Sequence, residues 1–120
     1  PVDPVVRAQF RMALHRIEND WYSLVDDFSS ENEAKLATKP KKLLKESILS
    51  VIDLFSLKDY FISDDFSLLD CTIAPILWRL PDYGIDLGSD SASIEKYMDR
   101  VFNRPSFQSS LSELEQEMRL

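Results

Sequence analysis

The sequence predicts an all-α fold, a five- to six-helix bundle with residues 67–80 as its buried centre. Three observations predict it. The run Phe66-Ser67-Leu68-Leu69-Asp70-Cys71-Thr72-Ile73-Ala74-Pro75-Ile76-Leu77-Trp78-Arg79-Leu80 opens with a helix start signal and then stays apolar nearly all round, which requires protein on every side. Apolar residues elsewhere recur at steps of three and four, the period of a helix with one buried face. No alternating strand pattern of useful length occurs anywhere.

The elements follow in order. Asp3 before Pro4 reads as an N-cap and a first helical residue. Phe10, Leu14, Ile17, Trp21, Leu24 and Phe28 then form one stripe, and Ser29, Ser30 and Asn32 close the helix. Pro40 is tolerated only in a first turn, so a second helix is expected to start near Thr38 and to run to Leu57–Asp59, with the stripe Leu44, Ile48, Val51, Ile52 and Phe55. Tyr60, Phe61 and Ile62 bridge to Ser63-Asp64-Asp65 and the central helix.

At the start of that helix Ser67 can accept a hydrogen bond from the backbone N–H of Asp70 while the Asp70 carboxylate reaches back to the N–H of Ser67, a capping box with Asp in place of Glu. Pro75 removes a backbone donor and should bend the helix. Gly84 is placed to be a left-handed cap with Ile85 folding back. A fourth helix follows the loop through Gly88, Ser89 and Asp90, burying Ile94, Tyr97, Met98, Val101 and Phe102. Asn103-Arg104-Pro105 breaks it and starts another, with Phe107 and Leu111 inward. Ser112 with Glu115 forms a second capping box for a short helix carrying Leu114 and Met118.

The 120 residues fit one domain, and the net charge is -7, from 14 Lys+Arg against 21 Asp+Glu. That balance argues against direct nucleic-acid binding, which needs a basic face. Lys35, Lys39, Lys41, Lys42 and Lys45 form one basic cluster, read as a solvated helix entry. Cys71 is the one cysteine, so no intrachain disulfide forms. Its place in the apolar helix reads as buried packing, where a thiol is unreactive. No stretch of about 18 apolar residues and no secretory signal pattern occurs, so no membrane span and a cytoplasmic setting are expected. The proline-rich lead Pro1-Val2-Asp3-Pro4, with no initiator Met, is expected of a linker cut in two, making this a C-terminal piece of a longer protein.

Few constellations carry chemistry, and the expectation is no catalytic residue, no cofactor and no metal. His15 has Arg11 and Asn19 four residues away and Met12 and Glu18 three away, which is a poor ligand set. Asp64, Asp65 and Asp70 suggest paired carboxylates, but Asp70 is accounted for by the cap and the other two by the positive helix terminus. Trp21 and Trp78 sit on apolar stripes as core, and Tyr22 lies one step off, with its hydroxyl expected in water.

Phe66-Ser67-Leu68-Leu69-Asp70 resembles the capping box that opens the core helix in the C-terminal half of the glutathione S-transferase fold, with Leu69 where many members carry Ala. Asn103-Arg104-Pro105-Ser106-Phe107 resembles that fold's recurring Arg-Pro-small-Phe. Leu14-His15-Arg16-Ile17-Glu18-Asn19-Asp20-Trp21-Tyr22, Ala74-Pro75-Ile76-Leu77-Trp78-Arg79-Leu80-Pro81 and Glu115-Gln116-Glu117-Met118-Arg119-Leu120 are similar to the stringent starvation protein A family within it, a likeness weakest from Ser29 to Pro40.

The resemblance implies a single helical domain over residues 1–120, with a thioredoxin-like domain expected upstream and absent from this chain. It implies a bacterial regulator of the starvation or stress response that binds RNA polymerase holoenzyme, including sigma factor. It also implies a homodimer, no transferase activity, no direct nucleic-acid contact and no membrane. The family's polymerase-contacting proline/histidine motif would lie just before this chain, so the partner surface is expected at Pro1, Val2, Asp3, Pro4 and Arg7. The rival expectation is a glutathione transferase whose catalytic residues lie in the missing domain; a third is a dimerisation module without a ligand, using the long first helix.

Overall fold

The computed structural model describes residues 3–29, 34–88 and 91–119, with the side chains of 27–29 and 34–38 set apart. The fold is all-α, and no strand occurs among the described residues. The helices are α1 (Pro4–Ile17), a π turn (Glu18–Tyr22), α2 (Ser23–Ser29), α3 (Ala34–Ser50), α4 (Leu54–Leu57), α5 (Leu68–Tyr83), α6 (Ala92–Phe102), α7 (Pro105–Ser110) and α8 (Glu113–Glu117). The run over residues 4–29 is one rod, so with the single turn α4 set aside there are six helices among the described residues. The chain divides into two compact units, residues 1–48 and 49–120.

In the first unit Asp3 is extended, and its carboxylate accepts from the N–H groups of Val5 (2.8 Å) and Val6 (3.1 Å), with Pro4 at the first helical position. Ile17 and Trp21 of the stripe are buried and Leu24 half-buried, and the Trp21 indole N–H donates to Ser47 Oγ at 2.9 Å. The π turn was not foreseen. Asn19 shows a local reason: its side-chain amide donates to the His15 carbonyl at 2.8 Å, taking an acceptor that a regular turn would give to backbone. The expected helix close at Ser30 and Asn32, and the side chains of Phe28 and Lys35, lie outside the described residues.

α3 corrects the expected second helix at both ends. It begins at Ala34, so Pro40 lies inside it, and it stops at Ser50. The β-branched pair Val51-Ile52 followed by Asp53 is poor helix material. There the backbone tightens into three-residue turns (Ile52 N–H to Leu49 C=O, 3.3 Å; Leu54 to Val51, 3.0 Å; Phe55 to Ile52, 3.2 Å) before α4.

In the second unit α5 carries buried Leu69, Asp70, Ile73, Ala74, Ile76, Leu77, Trp78 and Leu80. It continues through both Pro75 and Pro81 and ends at Gly84, which is left-handed (φ 74°). The Gly84 N–H bonds the Pro81 carbonyl (3.1 Å) and the Ile85 N–H the Leu80 carbonyl (3.0 Å), the paired 5→2 and 6→1 bonds of a Schellman close. α6 packs on α5 and buries Ile94, Tyr97, Met98, Val101 and Phe102. Trp78, Phe102 and Phe107 make one ring cluster, with centroids 5.0–5.4 Å apart. Phe55, Phe61 and Tyr97 make another.

One expectation about α5 is corrected. Leu68 and Cys71 are exposed, and with half-buried Pro75 and Arg79 they trace a face at steps of three and four. The helix is buried around most of its circumference rather than all of it.

Candidate functional site

Asp70 is the one fully buried carboxylate among the described residues. Its position in the first turn of α5 comes from the Ser67 cap: Ser67 Oγ accepts the Leu69 N–H at 3.2 Å, and Asp70 Oδ2 accepts the Ser67 N–H at 2.9 Å, completing the capping box. The same Oδ2 accepts the Ser67 hydroxyl at 3.4 Å. Oδ1 accepts the Phe61 N–H at 3.0 Å and the Tyr97 hydroxyl at 2.5 Å. Four dipoles therefore stand where a cation would, and the helix N-terminus adds a fifth favourable field. Burial, with the adjacent Asp70 charge and its hydrogen bond, drives the Tyr97 phenol far above its ordinary range.

The Phe61 contact has a structural partner in the tight turn before α5. Tyr60 and Ser63 exchange backbone hydrogen bonds (3.0 and 3.4 Å), and Ile62 between them takes a positive φ of 49°. A β-branched residue resists that conformation, so Asp70 holds a strained turn in place. Both Asp70 oxygens are thus occupied by donors from within the chain. Asp64 and Asp65 are exposed and lie apart from it, with Asp64 3.8 Å from the Lys58 ammonium.

Arg104, from the Arg-Pro motif, is the N-cap position of α7. Its guanidinium lies over the Phe66 ring (3.9 Å to the centroid) and donates to the Tyr60 hydroxyl at 3.0 Å. It thereby ties the turn at residues 60–63 to the start of α7. Its Nε is buried and has no acceptor among the described residues.

Arg119 closes the other end of α5. Its Nε donates to the Trp78 carbonyl (2.8 Å) and its Nη2 to the Leu77 carbonyl (2.9 Å), while the guanidinium lies over the Phe102 and Trp78 rings. The helix bond to Leu77 would come from residue 81, and proline has no N–H to give; Arg119 supplies the missing donor. Burial lowers its pKa, opposed by the Asp99 charge. Beside it the second capping box forms: Ser112 Oγ accepts the Glu115 N–H at 3.2 Å, and Glu115 Oε1 accepts the Ser112 N–H at 3.0 Å. The Ser112 backbone bond, then its hydroxyl, holds the Glu115 carboxyl below its usual range, against some desolvation and helped by Arg79.

Of the expected partner residues, Pro1 and Val2 lie outside the described residues. Asp3 and Pro4 are committed to starting α1, and Arg7 is exposed. Beside them Val5 and Met12 are also exposed. His15 is exposed and within 3.1 Å of the Asn19 amide. Trp78 is buried, with its indole N–H donating to the Glu115 carbonyl at 2.7 Å, and Tyr22 is half-buried. In the basic cluster Lys39 and Lys42 are exposed and Lys41 and Lys45 half-buried. Among the described residues no three His, Cys, Asp or Glu side chains are grouped to hold a metal, and no helix is long and apolar enough to cross a membrane. Tyr97, Phe61 and Arg119 are the contributors that local sequence reading missed. The one signal for Tyr97 was a polar tip on an otherwise apolar helix face.

Known proteins are similar to this chain in sequence. A relative from Haemophilus ducreyi, described as a stringent starvation protein A homolog, is 45% identical over 112 residues, 92% of this chain and 52% of its own length. Relatives with the same description from Pasteurella multocida and Coxiella burnetii are 44% and 39% identical, over 92% and 99% of this chain and 52% and 57% of theirs. The chain spans about half the length of the curated relatives it matches. The family model for the glutathione S-transferase C-terminal domain matches residues 12–105, a range that takes in the π turn, the capped central helix and the Arg104-Pro105 break. The chain belongs to the glutathione S-transferase C-terminal domain family.

Proposed function

We propose that this chain is the helical part of a bacterial starvation-response regulator that works by binding RNA polymerase holoenzyme, sigma factor included, and not by catalysis. The observation that carries the reading is the shared description of its relatives, stringent starvation protein A homolog, at 39–45% identity over nearly the whole chain. The geometry supports it. Several chemistry-bearing groups are engaged inside the fold: both Asp70 oxygens accept protein donors, Ser67 and Ser112 cap helices, and both indole N–H groups are donated within the chain. The reading places the protein in the cytoplasm as a homodimer, with no direct nucleic-acid contact and no membrane. It places the polymerase-facing surface around Pro1, Val2, Asp3, Pro4 and Arg7.

The test is co-purification of the full-length protein with polymerase core and sigma factor. A stoichiometric complex is expected; none at low salt and high concentration overturns the reading. The family itself favours a second reading, a glutathione transferase whose reactive group lies outside this chain. Conjugation of glutathione to a standard electrophile by the full-length protein, well above the uncatalysed rate, would establish it.

A further inference from the structure

One groove on the second unit departs from the charge of the chain. Its cavity of about 470 Å³ lies between α4 and α6. Phe55 and Leu57 form an apolar floor and lip, and Lys58, Lys96 and Arg100 stand round it with Asp59 as the single acid. The lining is net positive in a chain whose net charge is -7. Leu57 is 67% exposed. Arg100 Nη1 donates to the Asp59 carbonyl, fixing the edge of the groove against α6. Lys58 has only a loose pairing with exposed Asp64 at 3.8 Å, of the kind that contributes little. Lys96 has no ionic partner among the described residues.

We infer that this groove is a docking site for an acidic segment of another protein, one that presents a leucine-sized side chain between carboxylates. The apolar side chain would lie on Phe55 and Leu57 while its flanking carboxylates meet Lys58 and Lys96. Charge complementarity selects this occupant over a polynucleotide. A long polyanion feels the whole negative chain, whereas a short acidic segment feels chiefly the charges within a Debye length of about 8 Å. Nor is the groove built for phosphate. The Arg100 fork is partly engaged by the Asp59 carbonyl, and bidentate phosphate recognition needs that fork free.

The inference rests on reading the chain as a protein-binding module, and its test is separate from polymerase binding, so either can fail alone. The probe is a fluorescein-labelled, end-blocked Glu-Glu-Leu-Glu-Glu peptide titrated with the full chain and followed by anisotropy. Saturable binding that weakens as salt is raised is expected. Lys58→Glu with Lys96→Glu should weaken it at least about tenfold with the thermal midpoint unchanged. Lys96→Gln alone gives a smaller loss in the same direction and guards against misfolding of the double variant.

A control peptide with Ser in place of Leu should bind more weakly. Absence of saturable binding, or equal binding by the double variant, overturns the proposal. Equal binding of the Ser peptide, or displacement by inorganic phosphate at matched ionic strength, makes this an anion surface only and also overturns it. Self-association in sedimentation that the double variant abolishes would assign the groove to a second copy instead.

Discussion

At Asp70 a charge is taken out of water and compensated by dipoles alone. Removing a partner of such a group exposes the desolvation penalty of everything left behind. Asp70→Ala strands the Phe61 and Ser67 N–H groups and the Tyr97 hydroxyl and should lower unfolding free energy by about 3–5 kcal/mol, read from urea denaturation. Tyr97→Phe removes one donor and should lower it by about 1–2 kcal/mol.

The two also differ in alkali. The phenol's folded pKa is raised above its ordinary value of 10.0. Its contribution is therefore complete below pH 10 and is lost as pH climbs from there toward the raised folded value, because the unfolded chain ionises first. Wild type should lose stability steeply above pH 10, and Tyr97→Phe should show a shallower loss by differential denaturation. Spacing alone disclosed the Ser67–Asp70 pair, because a capping box is local. Phe61 and Tyr97, nine and twenty-seven positions from Asp70, leave no periodic trace.

The helices show the same division between what is local and what is not. Gly84 was readable as a left-handed close, and the structure gives it φ 74° with nothing within 4 Å of an added Cβ. Gly84→Ala should therefore be destabilising by backbone strain alone, about 1–2 kcal/mol in thermal denaturation. Arg119 was not readable as a cap, since its acceptors lie forty-one and forty-two positions earlier. Its role makes a coupled prediction. Arg119→Met should cost about 1–2 kcal/mol, and less in a Pro81→Ala background, where residue 81 can donate to Leu77 itself; a double-mutant cycle measures the difference. An apolar circumference correctly announced that α5 is central, yet it could not say which strip stays open. Leu68 and Cys71 are exposed because no neighbour among the described residues covers their face, a matter of tertiary placement. The π turn depended likewise on a hydrogen-bond competition at Asn19 that propensity does not carry.

For the molecule as a whole, the fold class followed from periodicity and from the missing strand pattern, while the partner proposed for it rests on resemblance and not on the chemistry of any residue. Asp3 is where the two meet. It caps α1 and adjoins the surface proposed for polymerase. Asp3→Asn keeps a capping oxygen and removes the charge, so a direct contact predicts weaker polymerase co-purification with the melting temperature unchanged. Asp3→Ala should instead lower stability by about 1 kcal/mol.

The Arg119 clasp bears on how the protein is made. Translation is vectorial, and domains begin to fold as they emerge. The Leu77 carbonyl is synthesised early but awaits residue 119 for its donor, and the same side chain also reaches the Trp78 carbonyl. A chain truncated before residue 119 would leave that end of the central helix open. Pulse proteolysis of released chains truncated before and after residue 119 should show the shift to resistance arriving with that arginine.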